Sequence, residues 1–131
     1  MTHIKLAVVG SRSIKGHAKI YHYLDRCVEH AAKQNKQLII VTGGAAGVDT
    51  TAFNFAKSRG LICINVMPAW QDRNGNTDRG AGFKRNEIIW EIADCGIAFW
   101  DRISKGTEHS FKLAADLHKK LQIVEADELP W

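Results

Sequence analysis

An α/β chain with a mostly parallel sheet of about five strands is what the sequence predicts, on three observations. Short continuous apolar runs alternate with longer stretches whose apolar residues recur at helical spacing. Glycines gather where a run hands over to an amphipathic stretch, as in LIIVTGGAAGVD from Leu38 to Asp49. The chain has 131 residues and 45% apolar content, the size of one domain with a real core. The expected architecture is therefore a single Rossmann-like three-layer domain over residues 1–131, its sheet covered by helices on both faces.

The elements follow in order. Ile4 to Val9 reads as the first strand, and Lys15 to Lys33 as a helix with Ile20, Leu24, Cys27, Val28 and Ala31 on one face. Leu38 to Thr42 is the second strand. Val48 to Arg59 is the second helix, with Val48, Ala52, Phe53, Phe55 and Ala56 at helical spacing and Gly60 as its cap. Leu61 to Met67 is a strand, Phe83 to Ala93 a helix with Ile88, Ile89 and Ile92 inward, Gly96 to Trp100 a strand, Thr107 to Leu121 a helix, and Ile123 to Val124 a short last strand. Between them Pro68 to Gly82, PAWQDRNGNTDRGAG, is too polar for core and longer than most connections, which suits a lid or a mobile segment. There is no internal repeat and no low-complexity tract.

Composition excludes several classes. No apolar run approaches a membrane span, and Met1 to Val9 lacks the pattern of a secretory signal, so a soluble, cytoplasmic protein with no membrane partner is expected. Cys27, Cys63 and Cys95 are isolated within apolar patterns, which favours reduced core thiols over disulfides or zinc. The 6 histidines show no ligand spacing such as H-E-x-x-H, and no metal is assigned. The formal charge of +4 hints at nucleic acid. Lys33, Lys36, Lys57, Arg59, Lys119 and Lys120 nevertheless fall near helix C-terminal ends, where the dipole favours cations, and they lie on the edge away from the loops that follow the strands.

Those loops carry the functional signal. Gly10-Ser11-Arg12, TGGAAGVD, MPAW and DRISKGTEHS each follow a strand's carboxyl end, whereas KQNKQ, SRG, ADCG and HKKLQ hold only turn and capping chemistry. Ligands of open α/β sheets bind outside the strands' carboxyl ends, where helix N-termini point free amides. Two glycine-containing loops opening onto helices, with Arg12 and Lys105 for charge, suit phosphate. Neither loop is a P-loop or a G-x-G-x-x-G fingerprint, and the acid expected about twenty residues on is replaced by Val66-Met67-Pro68, which disfavours conventional NAD binding.

GSR, TGGAAGVD, PAW, GFKRNEII and IAFWDRISKGTEHS together resemble the YspA-type, cpYpsA-related members of the SLOG superfamily, relatives of the LOG phosphoribohydrolases and of the DNA-processing protein DprA. The resemblance spans nearly the whole chain. It implies a domain that binds nucleotides or nucleotide-derived ligands, with relatives that often form oligomers, so a homo-oligomer joins the expected partners. The LOG motif P-G-G-x-G-T-x-x-E, with its upstream arginine, aligns on Gly106, Thr107 and Arg85. Ser110 stands where that family has glutamate, and Ser104 and Lys105 replace a glycine pair. Glycosidic hydrolysis needs a carboxylate, so Asp49 or Glu108 would have to serve.

Each residue also has a plain structural explanation. Asp49 could cap the second helix as well as touch a ligand, and Gly43, Gly44 and Gly47 could serve only a tight turn. Thr107 could cap the fourth helix. Arg85 and Asn86 are read at the start of the third helix, where the dipole disfavours a cation, which points to a ligand. Trp100 is read as core. The expected ligand contacts are Gly10, Ser11, Arg12, Gly43, Gly44, Ala45, Gly47, Asp49, Trp70, Arg85, Asn86, Ser104, Lys105, Gly106 and Thr107, with Arg85, Asp49 and Glu108 as catalytic candidates. Trp70 on the lid is expected to stack a base. A small-molecule nucleotide binder or sensor comes first, a nucleoside-monophosphate hydrolase second and a single-stranded nucleic-acid binder third. No cofactor is assigned beyond the nucleotide-derived ligand itself.

Overall fold

A computed structural model describes residues 2–14 and 18–125. In chain order the elements are β1 (Thr2–Gly10), α1 (Ala18–Lys33), β2 (Lys36–Thr42), α2 (Val48–Arg59), β3 (Ile62–Asn65), α3 (Ala81–Ile92), β4 (Cys95–Trp100), α4 (Lys105–Asp116) and β5 (Leu121–Glu125). The strands form one sheet in the order β3-β2-β1-β4-β5, and every pairing is parallel. The sequence's alternation of strand and helix is thus borne out, with a sheet parallel throughout. The first three residues of the predicted first helix, Lys15 to His17, lie outside the described residues.

Parallel strands need helical crossovers, and the helices divide the core in two. Beneath α1 and α2 lie Leu6, Val8, Ile20, Leu24, Ile40, Val48, Phe55, Ile97 and Phe99, all buried. Beneath α3 and α4 lie Ala7, Val9, Val41, Ile89, Trp90, Ala98 and Ala114. Burial of a ring such as Phe55 or Phe99 contributes about 3 kcal/mol. Alternate residues of β1 serve the two layers, which is why its apolar run is continuous. The three cysteines are free thiols of intermediate burial, packed against the first layer. Burial holds the Cys27 thiol up at about 11, so it stays protonated at neutral pH.

Several boundaries and orientations differ from the sequence expectation. Ile88 is 46% exposed, and Trp90 takes the inward place. The buried stripe of α3 runs Asn86, Ile89, Trp90 and on to Ala93, a proper helical spacing whose first member is polar and so does not register as core. Gly96 on β4 leaves room for the Trp90 ring, which a Cβ there would strike. Phe53 is exposed, with Lys57 over its ring at 6.0 Å. Strand β3 is an edge strand, shorter than Leu61 to Met67, although the Val66 amide still donates to Thr42 O at 2.8 Å. Gly60 closes α2 at φ 67°, as expected. Helix α4 starts two residues before Thr107 and stops at Asp116, because Leu121 is needed in β5. Lys119 donates to the carbonyls of Trp90 and Glu91, so it neutralises the end of α3 rather than of its own helix.

Candidate functional site

The sheet order reverses at β1, with β2 on one side and β4 on the other, and the loops leaving β1 and β4 diverge to open a crevice there. Ser11 closes its floor. Its amide donates to Phe99 O at 3.0 Å, and its hydroxyl accepts the Asp101 amide at 3.0 Å. Asp101 in turn organises the turn into α4: Oδ1 accepts the amides of Ile103 (3.0 Å) and Ser104 (2.8 Å), and Oδ2 accepts the Ser13 hydroxyl at 2.7 Å. Desolvation opposes the charge on Asp101, but these donors outweigh it and pull its pKa down to about 2.

Above that floor is a cleft of about 520 Å³. Val9 and Ile89 supply an apolar base. Arg12, Arg79 and Arg85 line it, as do Trp70 and Phe83, and Ser104, Gly106 and Thr107 bring in the first turn of α4. The amides of Lys105, Gly106 and Thr107 meet no acceptor among the described residues, as a helix's first turn dictates. Arg12 and Arg79 make no hydrogen bond or ion pair among the described residues, whose ion pairs are Arg59–Asp25, Lys84–Asp78 and Arg102–Glu125. Unpaired guanidinium groups beside free amides make a cavity suited to an anion.

The loop after β2 is built differently. Asp49 is buried, and its Oδ2 accepts the Ala45 amide at 3.1 Å. Burial pushes the Asp49 carboxyl up, against the pull of that amide and of Arg85. Arg85 Nη1 donates to Gly43 O at 2.6 Å, and its Nε donates to Asn86 Oδ1 at 3.0 Å. Asn86 Nδ2 donates to Gly106 O at 3.3 Å and lies 3.4 Å from His109 Nδ1. Two adjacent side chains of α3 therefore tie the glycine loop after β2 to the start of α4. A Cβ on Gly43 would lie 2.5 Å from Arg85 Nη1, and one on Gly47, at φ 77°, would lie 2.8 Å from the carbonyl oxygens of Ser11 and Arg12.

Residues 4–72 match the YspA, cpYpsA-related SLOG family. The chain belongs to that family. No curated protein sequence matches it. Among solved structures it is similar to DNA processing protein A from Helicobacter pylori, described for its single-stranded DNA binding mode, at 21% identity and TM-score 0.70 over 93% of this chain. It is likewise similar to DNA processing protein A (DprA) from Streptococcus pneumoniae, at 23% identity and TM-score 0.67 over 92% of this chain. The SLOG chain spans 65% and 50% of those two chains, and at such identities the likeness is one of fold.

Of the residues singled out in this SLOG sequence, the cleft brings together Gly10, Arg12, Ala45, Asp49, Trp70, Arg85, Asn86, Ser104, Gly106 and Thr107. Ser11, Gly43, Gly44 and Gly47 do not line it, Ser11 and Gly43 being buried and Gly44 exposed, and Lys105 and Glu108 are exposed outside it. Three local expectations are corrected. Arg85 and Asn86 lie in the second turn of α3, beyond the unfavourable first turn, and hydrogen bonds to two loops explain their position. Asp49 makes no cap, since the N-cap residue is Gly47 and the carboxylate folds back to the loop. Thr107 lies inside α4, with Ser104 at the N-cap and Thr107 Oγ1 donating to Ser104 Oγ at 3.2 Å. Trp100 is half-buried, donating Nε1 to Ser104 O at 3.2 Å and meeting Phe111 edge-on.

The sequence reading missed Asp101 and Phe83, and it set Arg79 beside Trp70 and Arg73 only as an approach to a nucleic-acid groove, not among the ligand contacts. Asp101 had a signal, a carboxylate three residues before a helix start, which is a position from which it can accept backbone amides. Phe83 had none, because its place in the first turn of α3 reaches the cleft only through packing. The lid segment is pinned, with Asp78 N donating to Trp70 O at 2.6 Å and Asp72 accepting the amides of Asn74 and Asn76.

Proposed function

We propose that this chain binds a nucleotide or nucleotide-derived phosphorylated ligand in the cleft between β1 and β4, acting as a binding or sensing module. The observation that carries the reading is the meeting of free α4 amides with unpaired Arg12 and Arg79 in one cavity. Phosphate sits against Gly106 and Thr107, with Arg12 and Ser104 beside it. Membership of the SLOG family supports the ligand class.

A hydrolase reading ranks second and rests on Asp49, a buried carboxylate on the cleft wall with its pKa raised. Glu108 is exposed outside the cleft, and Asp101 spends its oxygens on loop amides and Ser13. A single-stranded nucleic-acid reading ranks third, drawing on the DNA-binding protein whose fold this chain shares. One experiment separates the three. Thermal unfolding is followed with nucleoside monophosphates and with an oligonucleotide, and each mixture is checked for free base. Stabilisation that grows with mononucleotide concentration, without base release, supports the sensor. Base release abolished in Asp49→Asn supports the hydrolase, and oligonucleotide binding that falls steeply with salt supports the third reading. No stabilisation by any mononucleotide overturns the proposal.

A further inference from the structure

The outer half of the cleft is aromatic, and its geometry is more specific than a generic apolar wall. A Cβ placed on Gly82 would lie 3.6 Å from Trp70 Cη2 and 3.7 Å from Arg85 Nη2. The indole therefore lies along the first turn of α3, next to Phe83. Trp70 is 46% exposed and Phe83 50% exposed, and both line the cleft. Phe83 is held from the other side by His109, edge to face, with centroids 4.6 Å apart at 67°. Ile103, 78% exposed, adds an apolar rim.

The polar side chains nearby offer a base edge no free donor and acceptor pair held in register. Arg85 spends Nη1 on Gly43 O and Nε on Asn86 Oδ1, and Arg79, which makes no hydrogen bond among the described residues, is held in no register. Asp49 Oδ2 accepts the Ala45 amide, and the Ser13 and Thr107 hydroxyls donate to Asp101 and Ser104. Asn86, the one side-chain amide on the cleft wall, is spent: Oδ1 accepts Arg85 Nε, and Nδ2 faces Gly106 O and His109. Asp101 has its oxygens on Ser13 and two backbone amides. Discrimination between adenine and guanine needs a free acceptor facing the exocyclic amino group or a donor facing the exocyclic oxygen, in fixed register. What remains for the base is the pair of ring faces, and stacking is sequence-tolerant.

We propose that Trp70 and Phe83 form a base subsite that reads stacking area, so that the chain takes purine nucleotides as a class without separating adenine from guanine. This rests on the nucleotide reading of the cleft. Its test is a titration of the full chain with AMP, GMP, CMP, UMP and ribose 5-phosphate. AMP and GMP are expected to agree within about threefold, CMP and UMP to bind more weakly, and ribose 5-phosphate to fall roughly tenfold or more below AMP. Trp70→Leu and Phe83→Leu keep apolar bulk at half-exposed positions but lose the ring. Each is expected to weaken AMP roughly tenfold while leaving ribose 5-phosphate unchanged. Ribose 5-phosphate binding as tightly as AMP overturns the subsite and leaves the anion cradle standing. A tenfold or greater preference between AMP and GMP overturns the stacking mode. Failure of every ligand overturns the cleft reading and the subsite with it.

Discussion

Two strand-to-helix junctions of this molecule, β2 to α2 and β4 to α4, differ in what their glycines are for. In the loop after β2, Gly43 makes room for the Arg85 guanidinium, Gly44 at φ 71° makes room for Met67, and Gly47 at φ 77° lets two backbone carbonyls approach. That loop also seats its own anion, because Asp49 accepts the Ala45 amide. In the first turn of α4 a Cβ on Gly106 would meet nothing within 4 Å, and no side chain caps the helix. The louder motif in the sequence is a brace, while the quieter one faces the cleft with its donors unspent.

Substitutions test that contrast. Gly47→Ala forces a side chain into a left-handed backbone against Ser11 O and Arg12 O, and is expected to cost about 3 kcal/mol, read as a lowered urea midpoint. A change below about 0.5 kcal/mol would remove the brace from the argument. Asp101→Asn is expected to cost about 1 kcal/mol at pH 7 after allowance for solvent screening. Because the folded pKa lies below the ordinary value of 3.8, at about 2, this contribution is full above 3.8 and fades as pH falls towards 2. The gap between wild type and variant should close over that window in acid unfolding.

Gly106→Ala has the opposite sign to Gly47→Ala. It adds a methyl to a helix where there is open space, and is expected to raise stability by up to about 1 kcal/mol, seen as a higher Tm without ligand. The finest test is Asp49→Asn. The folded carboxyl has a raised pKa, so ionisation weakens the fold as pH climbs from 3.8 through the folded value. The Tm of Asp49→Asn relative to wild type should therefore be more favourable at pH 7 than at pH 3.5. An offset that does not change with pH would mean that Asp49 is not a desolvated anion inside the brace.

The sequence carried the fold because β1, β2 and β4 are continuous apolar runs and because Gly47 and Gly60 punctuate α2 at its two ends. It also carried the edge of the sheet where the cleft opens, since the unusual residues of Gly10 to Arg12 and Ser104 to Thr107 follow strand ends. It misplaced Ile88 on α3, where a polar Asn86 heads the buried stripe and Trp90 takes the inward place, while Ile89 and Ile92 do pack inward. It could not tell that Arg85 spends Nη1 on Gly43 O or that Phe83 meets His109, because those partners are 42 and 26 residues away in the chain and only packing joins them.

The Arg85–Asn86 pair has a mechanical consequence. One short segment of α3 grips the carbonyl of Gly43 with one hand and that of Gly106 with the other, so neither junction can shift without loading its counterpart. An anion that draws the first turn of α4 inward tugs on a beam anchored across the crevice, and the effect arrives at the turn after β2. Slower amide exchange from Gly43 to Gly47 upon filling of the α4 cradle would be the trace of that linkage.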